Sequence, residues 1–422
     1  MKDIIHDIAI KVDDLSDKTQ ESYYNTFGYS QPVRVNIYNG YVSTADGGTV
    51  VVRGRVLSNE VIKGTNKDVS VLTNAKRMAR RFLTKEVPGA KIRLHINEFT
   101  TQDIVCDEEG YFMFNQAIDG VSAKDGLWQD IHAELVEPIP EGQTELLFRG
   151  KIQSSQATLG VISDVDDTII HSGATSTISL FVTTFSKDET DRKVFDGLSL
   201  FYQALHQSPA TDAKVPFWYV SSSPWNMYDY FEGVWAQNDL PLGTFMLRDL
   251  GISESKFIKS SHGDHKLGAI EEVLNNAPHT TFLLIGDTGQ RDPNIYREIA
   301  LKYPERIAAV YLRDVQDGKR DAELNQFAQD LREVGVPMMW SADLYNCIEH
   351  CAEQGWIRQE SATHIEQRMQ EAIAQKKRKQ ASRGYGLIGP SYEAKRNMGI
   401  ALGALALGGL LVWGVKRRRS ER

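Results

Sequence analysis

Four short stretches of this chain concentrate the residue types that handle a phosphoryl group. Residues 164–168 read Asp-Val-Asp-Asp-Thr directly after the apolar run LGVIS. Two carboxylates two residues apart, on a chain leaving a strand, can face one phosphorus atom, one as nucleophile and the other as proton donor, if a cation offsets their repulsion. The same residues also suit a turn or a helix cap. The second stretch, Val220-Ser221-Ser222-Ser223-Pro224-Trp225-Asn226, again ends an apolar run. Its hydroxyls and backbone N–H groups can bind a phosphoryl oxygen, or cap a helix. The third is Lys266 in SHGDHKLGAIEEVL, a lysine opening an amphipathic helix, where it either neutralises charge on a transferred phosphoryl group or lies at the surface. The fourth, Gly286-Asp287-Thr288-Gly289-Gln290-Arg291-Asp292, places two more acids after TTFLLI. Mg²⁺ takes oxygen ligands, and a loop carboxylate opposite the first pair suits it.

The elements that must position these residues are legible as a change of period. From Leu159 onward, buried apolar runs (LGVISDV, VPFWYVSSS, GTFMLRD, TTFLLIGDT, RIAAVYLRDV) alternate with helical patterns, which predicts a parallel sheet covered on both faces. The four stretches then lie at the carboxyl ends of strands, where open α/β sheets bind ligands. Upstream, from Pro32, short alternating runs such as VRVNIYNGYV, GTVVVRGRVL, AKIRLHINEF and GYFMFNQAI predict a small β-sandwich. The basic stretch NAKRMARRFLTKEV reads as a helix crossing one edge.

In this order DVDDT, the strand-end serine, the helix lysine and GDTGQRD resemble the four motifs of the haloacid dehalogenase superfamily. SDVDDTI, YVSSSPWN and GDTGQRD are similar to one branch in particular, the phosphatidate phosphatases of the actin-patch-protein family. RGRVL and DEEGYF resemble the β-domain that precedes the catalytic domain in its bacterial members. The resemblance covers about residues 30–350. It implies that Asp164 attacks phosphorus to give an aspartyl-phosphate, and that Asp166 protonates the leaving alcohol and then activates water. It further implies that Ser221, with Ser222 as the next candidate, holds the phosphoryl group and that Lys266 stabilises it. Mg²⁺ would be bound by Asp164, the carbonyl of Asp166, Asp287 and Asp292. Thr168 would support the nucleophile's loop, with Asp167 either supporting it or exposed.

Substrate and setting rest on thinner signals. About 50 residues separate the first two motifs and about 40 the next two, too few for a large lid, so an open site is expected. Trp225, Met227, Tyr228, Tyr230, Phe231 and Trp235 follow the serines and could receive acyl chains, although core packing is the commoner fate of such residues. Cys347, His350 and Cys351 carry zinc-ligand types, but three crowded on one helix are better read as packing. Composition is ordinary for a globular chain, with 41% hydrophobic and 25% charged residues, and the net charge of -8 argues against a nucleic-acid binder. Three cysteines are too few for a disulfide framework, and the charged N-terminus does not read as a signal peptide.

Met398–Val415 is 18 residues without a charge, flanked by Lys395, Arg396 and KRRR. That length just reaches across a bilayer as a helix. It predicts a single-pass C-terminal anchor beside a basic segment, with everything upstream on the cytoplasmic face. The expected organisation is an N-terminal arm (1–30), a β-sandwich domain (31–153) and a haloacid dehalogenase-like catalytic domain without a large cap (154–356). A basic helix and linker (357–397), a transmembrane tail (398–415) and a basic C-terminus (416–422) follow. The expected function is a membrane-anchored, Mg²⁺-dependent phosphatidate phosphatase producing diacylglycerol and phosphate. Its rivals are a phosphatase for a soluble phosphomonoester or phosphoprotein and a non-catalytic phosphate- or lipid-binding membrane adaptor. The β-domain suggests no particular partner.

Overall fold

A computed structural model describes residues 32–45, 48–58, 85–98, 100–118, 121, 128–154, 156–165, 168–169, 197–248, 262–289 and 291–383. The expected N-terminal arm, residues 74–84 of the expected basic helix 74–87, Asp166, Asp167 and the apolar run 398–415 lie outside the described residues, and the end of that helix, 85–87, is corrected: it is not helical, because Glu86 bridges to Leu57 at the edge of a strand. Among the described residues no helix is long and apolar enough to cross a membrane.

Seven strands form the first sheet: β1 (Val33–Val42), β2 (Thr49–Ser58), β3 (Lys91–His95), β4 (Thr101–Val105), β5 (Tyr111–Ala117), β6 (Trp128–Glu137) and β7 (Leu147–Gln153). Their order is β4-β3-β6-β7-β1-β2-β5, antiparallel except for a short parallel pairing of β1 with β7. The predicted two-sheet sandwich is corrected here. This is one sheet whose edge strands β4 and β5 come into contact, a near-barrel around Val35, Val52, Ile92, Phe114, Ile131 and Phe148. Alternation such as that of Val33, Val35 and Ile37 reports which face of a strand is buried. A sandwich and a closing sheet bury that face equally well, so the period does not distinguish them.

The second sheet comprises β8 (Leu159–Asp164), β9 (Phe217–Pro224), β10 (Thr244–Arg248), β11 (Thr281–Asp287), β12 (Ile307–Arg313) and β13 (Met338–Ser341). Every pairing is parallel, in the order β10-β9-β8-β11-β12-β13, as expected from the buried apolar runs. The four-residue β13, MMWS, is too short to have stood out as a run. The intervening helices are α1 (Leu198–His206), α2 (Tyr228–Gln237), α3 (His262–Asn276), α4 (Asp292–Lys302), α5 (Asp321–Glu333) and α6 (Tyr345–Glu353). Ile270 and Leu274 of α3 and Tyr296 and Ile299 of α4 share a core with Ile162, Phe282, Leu284 and Val310 of the sheet. The expectation of no large cap falls mostly on residues 170–196 and 249–261, outside the described residues.

Strand order fixes where a site can form. From β8 the chain steps outward through β9 to β10 and then returns to place β11 on the other side of β8. The β8/β11 boundary is therefore the point where winding reverses and two strand ends open a crevice. The basic helix expected near 364–380 is found as α7 (Gln359–Arg383).

Candidate active site

Asp164 is the last residue of β8 and Asp287 the last of β11. Ser163 pairs with Ile285, so both carboxylates emerge just past that pairing, at the winding reversal. Asp164 itself pairs with Val220, which sets Ser221 one residue beyond it on the neighbouring strand. Asp292 opens α4, with Pro293 supplying a helix-ready backbone in the first turn. Lys266 lies in the first turns of α3.

These side chains converge. Lys266 Nζ donates to Asp164 Oδ1 at 2.6 Å and to Asp292 Oδ1 at 2.5 Å. Asp164, Asp287 and Asp292 are buried, and one carboxylate oxygen from each lies within 4.8 Å of the others. Burial alone would push the Lys266 ammonium down, but the Asp164 and Asp292 carboxylates more than offset that and hold it above its ordinary value. The lysine is thus charged. Asp292 Oδ2 is buried with no hydrogen-bond partner among the described residues. A set of carboxylate oxygens is the donor type that a hard divalent cation takes.

Of the sequence candidates, Asp164, Lys266, Asp287 and Asp292 form this cluster, and Asp166 lies outside the described residues. Ser221 is fully buried and its Oγ accepts the Ser223 N–H at 2.9 Å, while Ser222 is half-buried. Thr168, four residues after Asp164, is buried. The aromatic run after the serines is core: Trp225, Met227, Tyr228, Tyr230, Phe231 and Trp235 are all buried, and Phe231 stacks on Phe245 at 5.8 Å. Packing likewise accounts for α6. Cys347 and Cys351 are buried, Cys351 Sγ donates to Tyr311 Oη, and Tyr311 Oη lies 2.7 Å from His350 Nδ1.

Several supports escaped the sequence reading. Asp314, just after β12, accepts Thr288 Oγ1–H at 2.9 Å, Gln316 N–H at 2.9 Å and Gly318 N–H at 2.8 Å. Partial burial would raise its carboxyl, but those bonds hold it below the usual carboxylate range. Arg320 Nη1 donates to the Thr288 carbonyl, and Gly289 N–H donates to Asp287 Oδ1. The chain after Asp287 is therefore fastened through Thr288 and Gly289. Behind Asp164, Ser163 Oγ donates to the Asp164 carbonyl at 2.7 Å and bonds Tyr202 Oη of α1 at 2.7 Å. The one available signal was position, since Asp314 follows a strand as Asp164 and Asp287 end theirs.

Residues 159–314 match the family described as "Phosphatidate phosphatase APP1, catalytic domain". All the described members of the cluster fall inside that span. Phosphatidate phosphatase APP1 of Saccharomyces cerevisiae is 34% identical over 164 residues, 39% of this chain and 27% of that protein. An uncharacterized protein of Schizosaccharomyces pombe is 21% identical over 215 residues, 50% of this chain and 34% of that one. The chain thus spans about a quarter to a third of the length of these relatives. A solved carbohydrate esterase aligns over 74% of this chain and 89% of its own, with 9% identity and a TM-score of 0.18, which bears on neither fold nor function.

Proposed function

We propose that this chain is a divalent-cation-dependent phosphatidate phosphatase that works through an aspartyl-phosphate on Asp164, on a haloacid dehalogenase-like scaffold. The observation that carries the reading is the convergence of buried Asp164, Asp287 and Asp292, two of them bonded to Lys266, within the span matched to the phosphatase family. Asp164 Oδ attacks phosphorus, forming a P–O bond as the bond to the diacylglycerol oxygen breaks, and Asp166 gives its proton to that oxygen. Asp166 then takes a proton from the water that attacks the acyl phosphate, freeing Asp164 and inorganic phosphate. Lys266 offsets the charge gathering on the transferred group, and the Ser221 turn orients its oxygens. Asp164, Asp287 and Asp292, with the Asp166 carbonyl, would hold Mg²⁺, which supplies Lewis-acid neutralisation of the phosphate.

The uncharged run Met398–Val415, flanked by basic residues, supports attachment to a membrane with the catalytic unit on the cytoplasmic side. Carbonate extraction of the full chain against one ending at Asn397 tests it. Phosphate release from phosphatidate in mixed micelles, with and without Mg²⁺, beside a soluble aryl phosphate and the Asp164→Asn variant, tests the activity. Mg²⁺-dependent release from phosphatidate, absent in the variant and weak with the soluble ester, is expected. Release from the soluble ester alone discards the lipid, and no release from either discards the enzyme.

A further inference from the structure

The first sheet grips two catalytic elements at once. On β1, Tyr38 stacks on Trp225 with ring centroids 4.3 Å apart and planes 10° apart, and the next residue, Asn39, donates its N–H to Tyr228 Oη at 2.9 Å. Trp225 follows the serine turn after a single proline. On β2, buried Arg55 reaches Asn226 Oδ1 at 3.4 Å while its other groups bond the Glu109 carbonyl and Glu86. The same ribbon also holds α3. Arg53 Nη2 pairs with Glu272 at 2.6 Å, Tyr41 Oη donates to that carboxylate at 2.9 Å, and Thr44 N–H caps the Asn276 carbonyl. Glu272 lies six residues after Lys266, about 9 Å along one rigid helix.

We propose that this β-sheet domain is a positioning brace for catalysis: the β1–β2 ribbon sets the distance between the serine turn and the Lys266 helix. The proposal rests on reading the α/β unit as a phosphatase, and it assigns Arg53, Arg55 and Tyr38 as positioning residues remote from the reacting atoms. Serine turn and lysine come from different βα units that already meet where α3 packs on β9 and His265, beside Lys266, bonds the Ser221 backbone. The ribbon adds a second tie from outside the α/β unit, bonded to both elements at once. Misplacing a phosphate-binding group by a fraction of an ångström lowers turnover without unfolding the chain.

The test is a charge exchange in the full-length protein: Arg53→Glu, Glu272→Arg and both together, with Arg55→Met as an independent break at the serine turn. Turnover of a soluble aryl phosphate, inhibition by orthovanadate, thermal melting and amide hydrogen exchange are measured on each. Each single variant should lose roughly 3- to 30-fold in kcat/KM and bind vanadate correspondingly more weakly. Exchange should quicken at residues 221–228 and 262–268, and the double variant should return within threefold of wild type. Single variants within twofold of wild type overturn the proposal, as does a double variant that folds but does not recover. Should a single variant fail to fold, Arg55→Met and the double variant still decide it. If the wild type turns over no ester, the phosphatase reading falls instead. Exchange then judges the brace, because quickening spread over the whole α/β unit, or none at all, refutes it.

Discussion

Gly286 separates two explanations for a glycine beside a strand-end acid: backbone conformation or space. Its φ is not among the positive values found elsewhere in the chain, so space is the reason. A Cβ at 286 would sit 2.7 Å from Tyr296 Cε2 and 2.8 Å from Asp292 Oδ2. Neither neighbour yields freely, because Tyr296 is buried with its hydroxyl bonded to the Ile285 carbonyl at 3.0 Å, and Asp292 is held by Lys266 at 2.5 Å. Ordinary contact begins near 3.4 Å, so the Asp292 carboxylate must retreat by about 0.6 Å. With a 1 Å misplacement worth roughly a hundredfold, Gly286→Ala should lower kcat/KM about tenfold. Overpacking should cost roughly 1–3 kcal/mol, or a melting point lower by about 2–10 °C. Gly268→Ala is the control. That glycine is exposed on α3 with nothing within 4 Å of an added Cβ, so helix propensity should raise stability by roughly 0.5–1 kcal/mol. The assay is aryl phosphate turnover with Mg²⁺ beside thermal melts of all three proteins. A Gly286→Ala protein matching wild type in both would refute the claim that this backbone position confines Asp292.

Lys266→Met should lose roughly 10²- to 10³-fold in kcat and about 3 kcal/mol or more of stability, since Asp164 and Asp292 are left facing each other in a buried site. Wild-type turnover with an unchanged melt would remove the lysine from the mechanism. Burial pushes the Cys106 and Cys351 thiols up to about 12 and holds Cys347 well above its ordinary value, so native protein at pH 8 should resist iodoacetamide at all three and react once denatured. Native labelling within minutes would contradict their burial. Burial also lowers the His206 imidazole, against a smaller opposing effect from its bond to the Val215 carbonyl. The unfolded chain then takes up that proton first, so this contribution to stability is complete above about pH 6.5 and fades as the pH falls below it. His206→Gln should flatten the melting-point slope across that window, and an unchanged slope would exclude the histidine as its source.

What the sequence disclosed follows from how far apart the deciding residues lie. Runs such as LGVISD and TTFLLIGD are apolar on both faces, and only a strand covered on both sides buries them, so the parallel sheet was readable from local pattern. Sheet closure was not, because contact between β4 and β5 depends on curvature accumulated across seven strands. Trp225 and Tyr228 show the same limit at the level of one side chain. An aromatic run after a phosphate-binding turn suits an acyl groove as well as a domain contact. Only the presence of Tyr38 and Asn39, 187 and 189 residues earlier in the chain, makes it the latter.

The site poses a sharper question, because one rule, an acid where a buried strand ends, selects Asp164, Asp287 and Asp314 alike. Residue type does not separate them; strand order does. β8 and β11 meet where the winding reverses, so their terminal carboxylates come within reach of each other. β12 lies one strand further out, and the carboxylate after it meets the loop after β11 instead. Asp314 turns onto Thr288 and the amides of its own loop, and its charge is spent holding the chain that carries Asp287. The same residue type joins the acidic cluster at one strand end and holds a loop at the next. Asp314→Asn should accordingly act through the loop: it weakens three accepted bonds and leaves the Asp164, Asp292 and Lys266 cluster intact. Its turnover loss should therefore shrink as Mg²⁺ is raised, since added cation restores occupancy of a site whose Asp287 has been loosened. A loss independent of Mg²⁺ concentration would mean that Asp314 acts on the reaction by another route.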